Sequence, residues 1–302
     1  MAEGSRRRLS FVAEVTAGTS PTTGWQILRT TGDGVVTNAK QMLNSAELRS
    51  DRGVGILRHG NSLPQINIPF ELSTGTYDSI LQSALQGTWT TNILNQGTTK
   101  KYHSFEEGFL DMTTPQYQQL KGALCSGFDL NVTPNAMVTG NFRFTGLSVS
   151  ALSGTPIQAA AHTAQTTTPP YDSFTGSILE GGGSTVIVTA LSLNYDNGVD
   201  PKYRLMQTGP ARIATGRANL TGTISAFFDN ATLATKFFAE TETSLSFTLT
   251  DSASKSYTFL IPKLKYTGGP REVSENQIML NLPFQAYMDS VTGTTLRITR
   301  VP

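Results

Sequence analysis

The sequence predicts a mainly β protein built as two tandem β-sandwich or half-barrel units, each with one flanking α-helix. Three observations carry this. First, a pattern between Phe105 and Ser150 returns 140 positions later: Asp111, Tyr117, Leu120, Leu124, Asn141, Phe144 and Ser150 meet Asp251, Tyr257, Leu260, Leu264, Asn281, Phe284 and Ser290. Upstream the offset becomes 156, pairing Gly60 with Gly216, Ile68 with Ile224, Thr76 with Thr232 and Leu81 with Phe237, which locates an insertion near Gln86 to Lys101 in the first copy. Second, apolar residues alternate with polar ones along most of the chain, the two-residue period of a strand with one buried face. Third, only two stretches read as helical, and they sit at equivalent places in the two copies. A repeated motif of this length is a supersecondary unit with its own core.

Taken in order, residues 1–24 form an N-terminal arm: Arg6, Arg7 and Arg8 precede a weakly apolar LSFVAEV and then small polar residues. A solvated terminus and an arm that docks on a neighbour both fit that composition. Residues 25–153 are the first unit. Within it Asn44 to Asn61, NSAELRSDRGVGILRHGN, carries both signs of charge and three glycines and connects two strand-like stretches. Ile66 to Leu72 alternates as a strand. Tyr77, Ile80, Leu81, Ala84 and Leu85 then follow the i, i+3, i+4, i+7, i+8 spacing of a helix after cap-capable Ser73, Thr74 and Thr76. Met137 to Val149 is a further strand-like run. Residues 154–170, rich in Ala, Thr and Pro and ending TTTPP, have linker composition. Residues 171–302 are the second unit, with strand patterns at Thr185 to Leu193, Leu245 to Thr250 and Ser256 to Lys265. Its helical stripe of Leu233, Phe237 and Phe238 follows Asp229 and Asn230.

Bulk properties narrow the function. The 302 residues suit two domains by the usual span of roughly 100–200 residues each. Basic and acidic residues number 12 and 11 up to Ser150 and 11 and 11 beyond it, so neither half is a polycation of the kind that grips nucleic acid through its phosphates. One cysteine, Cys125, excludes an intramolecular disulfide and fits an apolar strand position. No apolar run approaches the ~18 residues of a membrane span, and the first 21 residues lack the hydrophobic stretch of a signal peptide, so a soluble protein assembled in the cytosol is expected.

Catalytic patterns are weak. His59, His103 and His162 have no metal-ligand partners at usable spacing, and the second-copy counterparts of His59 and His103 are Thr215 and Thr243. Gly181, Gly182 and Gly183 lack the Lys-Ser/Thr of a phosphate loop and precede a strand, which makes them a turn. Glu106 and Glu107 are adjacent and in a strand face opposite sides, poor geometry for paired acid and base work. No cofactor and no enzyme activity is expected.

Specific strings then add a resemblance. ELRSDRGVGILRHGN at Glu47 to Asn61, followed by a strand, Glu71 and the helix YDSILQSALQGTW, resembles the major tail tube proteins of long-tailed, siphovirus-type bacteriophages. SFEEGFLD at Ser104 to Asp111, VTPNAMVTGNFRFTG at Val132 to Gly146 and YDSFTGSILEGGGSTVIVTALSLNYDNG at Tyr171 to Gly198 are similar to the same family. The resemblance implies a structural virion protein that polymerises into stacked rings, the conduit through which the genome leaves the capsid. It implies tail completion and baseplate proteins as further partners. Single-domain members close a ring with six chains, so a tandem member is expected to close it with three.

On that basis sheet edges are the expected joining surfaces within a ring, because their unpaired N–H and C=O groups can pair with the next subunit. Contacts between rings are assigned to the charged loop with Arg49, Asp51, Arg52 and Arg58, assisted by the arm with Arg6, Arg7 and Arg8 and by the linker; a solvated hairpin kept charged for solubility is the competing reading. Passage of duplex DNA, one charge per roughly 1.7 Å, favours a neutral or acidic wall over one of Lys and Arg that would bind and stall it. Glu71, Glu106, Glu107 and Asp129 are the acidic candidates for that wall, and ordinary outward-facing strand carboxylates the alternative. A distal tail or baseplate ring protein and a carbohydrate-binding sandwich of a receptor-binding spike remain as other classes. Neutralising Asp51 and Arg52 together is expected to block polymerisation with folding intact; electron microscopy beside a circular-dichroism melt checks it, and normal tubes from the double variant would remove the assignment.

Overall fold

The computed structural model describes residues 6–32, 34–48, 50–51, 53–185, 187–228, 232–273 and 277–302. It is 51% strand and 5% helix, with every ladder between named strands antiparallel. The first part of the chain forms β1 (Arg7–Ala13), β2 (Gln26–Ile27), β3 (Val36–Asn44), β4 (Leu57–Glu71), α1 (Asp78–Leu85), β5 (Ile93–Asn95), β6 (Tyr102–Phe109), β7 (Gln116–Val132), β8 (Thr139–Thr145) and β9 (Ser148–Val149). The remainder forms β10 (Gly176–Glu180), β11 (Ser184–Thr185), β12 (Val188–Asp196), β13 (Val199–Lys202), β14 (Arg212–Thr215), β15 (Asn219–Phe227), α2 (Thr232–Phe238), β16 (Thr243–Thr250), β17 (Ser256–Tyr266), β18 (Arg271–Val273), β19 (Ile278–Ala286) and β20 (Arg297–Val301).

One long sheet runs through both parts in the order β3, β4, β8, β7, β12, β15, β19, β18. Two-residue alternation gives it one apolar face, including Ile66, Ile68, Phe128, Leu130, Phe142, Leu193, Ile224 and Leu282, all at most 2% exposed. A second layer covers that face. In the first part it is β2, β1, β6 and the start of β7; in the second it is β11, β10, β16, the start of β17, β20 and β5. Strands β7 and β17 each take part in both layers, pairing first with β6 or β16 and later with β8 or β19. In β7 the turn from one layer to the other passes Gly122, whose φ of +62° and close approach to Leu147 leave no room for a Cβ.

The helices fill the space between layers. Helix α1 buries Ile80, Leu81, Ala84 and Leu85, the stripe its spacing predicts, and ends at Gln86 in the left-handed conformation. The expected side-chain cap is absent: Tyr77 precedes the helix without a capping hydrogen bond. The hydroxyls of Ser73, Thr74 and Thr76 are engaged elsewhere, Ser73 locally with Thr76, and Thr74 with Tyr171 Oη and Thr76 with Thr166 across the fold, each at 2.6 Å. Leu233 and Phe237 of α2 pack against the core while Phe238 is exposed; Asp229 and Asn230, expected to cap it, lie outside the described residues. Residues 154–170, of linker composition, lie against the first part. Trp25 donates its N–H to Gln158 Oε1 at 3.2 Å, Thr163 exchanges main-chain bonds with Trp25 and Ile27, and Thr168 Oγ1 donates to the Thr74 carbonyl at 3.0 Å.

The two parts meet at a continuous ladder, Gly127–Val132 of β7 against Leu191–Asp196 of β12. Phe128 stacks on Tyr195 at 5.6 Å there, and a Cβ on Gly127 would sit 2.2 Å from the Tyr195 carbonyl, so glycine sets that close approach. Asn197 donates to the carbonyls of Ala84 and Cys125 at 2.8 and 3.0 Å. A second join comes from residues 86–101. Its β5 pairs with β20, and Trp89 donates to the Asp78 carbonyl at 3.1 Å while lying under the Arg300 guanidinium, 4.5 Å from the ring centroid. Arg300 also pairs with the Asp78 carboxylate, which accepts from Tyr257 as well. Removing Arg300 leaves Asp78 without its cation and Trp89 uncovered, a cost of about 2 kcal/mol. Arg300→Ala is therefore expected to lower the melting temperature of the free chain by roughly 5 °C; an unchanged melt by scanning calorimetry would show that this join carries no load.

Candidate assembly surfaces

The β3–β4 hairpin projects from the long sheet. Val36 is buried and the other residues of β3 are exposed, and pairing continues to Asn44 opposite Leu57, so the hairpin stands out from the body. Around its tip Met42, Leu43, Leu48, Val54, Ile56 and Leu57 are exposed. Asp51 accepts from the Gly53 N–H at 3.1 Å and Arg58 is exposed; Arg49 and Arg52 lie outside the described residues. The loop thus carries exposed apolar residues beside the charges that the sequence singled out. Its apolar residues were legible in the string LRSDRGVGILRHG, but they follow no strand or helix period and the charges dominated. Exposed apolar residues gathered on one projecting hairpin make it a candidate interaction surface.

The place of this hairpin in the second part is taken by the connection from β12 to β15, which contains β13 and β14 and folds back on the first part. Ser62 donates its N–H to the Thr208 carbonyl at 2.8 Å and Tyr203 Oη donates to the Ser62 carbonyl at 3.2 Å. Leu205 and Met206 at its tip are exposed, Met206 with φ of +63°.

The arginines of the N-terminus bind their own chain. Strand β1 pairs along the whole of β6, from Arg7 opposite Phe109 to Ala13 opposite His103, and buries Leu9 and Phe11. Arg7 Nε lies 2.6 Å from Glu107, Arg8 3.4 Å from Glu106 and Arg6 3.1 Å from Asp111, and Arg8 covers the Tyr117 ring. This corrects two expectations. Residues 7–13 are a strand of the second layer, lying between β2 and β6, rather than a solvated terminus or an arm reaching a neighbour. Glu106 and Glu107, 0% and 1% exposed, are its buried counter-charges and line no solvent-filled wall. A buried carboxylate needs such partners; Glu106 also accepts from the Ile157 N–H at 2.7 Å, and Glu107 from the Val36 N–H at 3.2 Å. Glu180 is held likewise in the second part, by Lys236 at 2.6 Å and Thr243 at 2.7 Å.

The outward face of the long sheet is polar. Asn67, Asn131, Asn141, Ser192, Asn194, Thr221, Thr223 and Gln285 alternate with the core residues along β4, β7, β8, β12, β15 and β19. Its charges are sparse. Asp129 and Arg143 pair at 2.8 Å and Arg143 reaches Asn194 at 2.7 Å, bridging the two parts. Burial raises the Asp129 carboxyl above its usual range and the Arg143 cation opposes that. Glu71 is half-buried at the end of β4, opposite Thr139. A shallow groove of about 590 Å³ runs over this face between Asp129 and Gln285.

The other reactive side chains sit in packing. Burial pushes the Cys125 thiol up to about 12 and His103 down to about 4, with Lys101 adding to the latter; His103 Nε2 hydrogen-bonds Ser79 at 2.9 Å. His162 packs edge-on to Trp25. Among the described residues no group of three or more His, Cys, Asp or Glu side chains is placed to hold a metal ion, and no helix is long and apolar enough to cross a membrane.

Among the described residues this is a layered antiparallel β protein whose long sheet has a polar outward face and ends in β3 and β18, each paired on one side, with a hairpin of exposed apolar residues projecting from it. Residues 4–286 match the family model described as phage tail tube protein, and the chain belongs to that family. It is a structural protein of the phage tail tube. No curated protein matches the chain. Leu48→Asp, on a fully exposed hairpin residue, is expected to leave the melting temperature within about 1 °C, since such surface changes stay within ~0.5 kcal/mol. It is expected to abolish long tubes in electron micrographs, and tubes of normal length would detach the hairpin from assembly.

Proposed function

We propose that the chain comprises two equivalent tube units, 25–153 and 171–302, joined by residues 154–170, and that three chains close one ring of six units. Stacked rings form the tail tube through which the genome is ejected, assembled in the host cytoplasm and met at its ends by completion and baseplate proteins. The observation that carries this reading is the long sheet that passes through both parts of the chain without a break and whose terminal strands, β3 and β18, pair on one side only among the described residues. Adding the same sheet from the next chain extends it around a ring, and a heterologous contact of this kind closes when its rotation divides a full turn.

The polar face of that sheet is the proposed lumen wall. Amides and hydroxyls there offer no fixed positive field, and Arg143 near its centre is paired with Asp129. Passing DNA would then release few counterions and meet no specific grip. Of the acidic candidates Glu71 and Asp129 stay with this face. The projecting hairpin with Asp51, Arg58, Leu48 and Ile56 is the proposed contact between rings, in which apolar burial supplies adhesion and the charges fix rotation.

Purified protein concentrated to assembly is expected to form hollow fibres in electron micrographs, and native mass spectrometry of dissociated fibres to give species of three chains. Single rings without fibres would favour the distal tail or baseplate reading. Discrete trimers without a central hole would favour a spike.

A further inference from the structure

The junction inside the chain is a template for the junction between chains. It joins β12 to the end of β7, with Leu191 opposite Val132, Ser192 opposite Asn131 and Leu193 opposite Leu130. Each partner has a counterpart in the other unit. Strand β12 corresponds to β3: Leu193 faces Gly222 of β15 as Val36 faces Ile66 of β4, and Gly222 and Ile66 are equivalent by the repeat. The end of β7 corresponds to β18: Leu130 faces Gly140 of β8 as Arg271 faces Leu280 of β19, and Gly140 and Leu280 are equivalent. Among the described residues β3 pairs only with β4, and β18 only with β19. The counterparts of the two joined strands are therefore the two strands that terminate the long sheet.

Resting on the tube reading, we propose that β18 of one copy pairs antiparallel with β3 of the next in the template's register, Arg271 opposite Val36, Glu272 opposite Val35 and Val273 opposite Gly34. Burial supports this pairing. Val132, inside the template, packs against the core, whereas its counterpart Val273 is 75% exposed, an apolar residue left uncovered at the end of the sheet. The bond pattern of β3 supports it too. In the free chain the Val36 N–H is accepted by Glu107 and the Gly34 carbonyl accepts from Arg7, so an ion pair of the second layer occupies the edge groups at the start of the strand. Charged side chains at an edge blunt indiscriminate strand addition. When β18 arrives, its main chain replaces the Glu107 carboxylate at Val36, and Glu107 keeps Arg7.

Cysteines at Val35 and Glu272 test the register, because directly opposed residues of an antiparallel pair lie within the ~4.4–6.8 Å Cα separation a disulfide needs. Both side chains are exposed, and the native Cys125 is buried. Oxidised fibres of the V35C/E272C chain are expected to run as a ladder of covalent multiples on non-reducing gels, ending in a closed species of three chains, while the unassembled chain stays single. The V35C/R271C chain, one residue out of register and so on opposite faces, is expected to cross-link at least tenfold less. Fibres without the ladder, or equal ladders from both variants, would overturn the pairing and leave the tube reading standing. Wild-type protein that forms no higher assembly at all would overturn both.

Discussion

Everything else in the molecule depends on the antiparallel ladder between β7 and β12. It joins the strands of both parts of the chain into one sheet, and it brings the backbones so close at Gly127 and Tyr195 that no side chain fits between them. The apolar pairs of that ladder, Phe128 with Tyr195 and Leu130 with Leu193, are at most 2% exposed. A flexible tether would have left these groups in water, and their burial holds the two parts in a single orientation. The polar face inherits its continuity from the same ladder, since Arg143 can bridge Asp129 and Asn194 only because their strands are neighbours.

The second layer solves a different problem. A sheet with one apolar face must be covered, and each half does so by bending one long strand, β7 or β17, back across itself. The carboxylates at Glu106, Glu107 and Glu180 sit inside that cover, each with a cation brought from elsewhere in the chain. Such pairs contribute little net stability compared with apolar packing, yet breaking one leaves an uncompensated charge. They make the position of β1 and of α2 an all-or-none matter.

Much of this was legible in the sequence. Leu245 to Thr250 and Ser256 to Lys265 alternate because one side faces the core, and β16 and β17 lie there; Ile80, Leu81, Ala84 and Leu85 face inward on α1 as their spacing requires. What failed depended on contacts distant along the chain. Adjacent Glu106 and Glu107 read as exposed because charge is seldom buried, and nothing local announces that Arg7 and Arg8, about a hundred residues earlier, come to meet them. Residues 154–170 read as loose linker because Thr and Ala have no period, yet their hydroxyls and main chain find partners across the first unit. The hydroxyls before α1 have helix-capping chemistry, and tertiary partners outbid the helix for them.

The insertion at residues 86–101 has a mechanical consequence. Trp89, β5 and the Asp78–Arg300 pair fasten the seam inside each chain, and in the proposed ring the seam between chains would form without them. A ring of these subunits would alternate stiff and compliant hinges. When the tail flexes, the give would concentrate at every second boundary, sparing the covalently continuous ones.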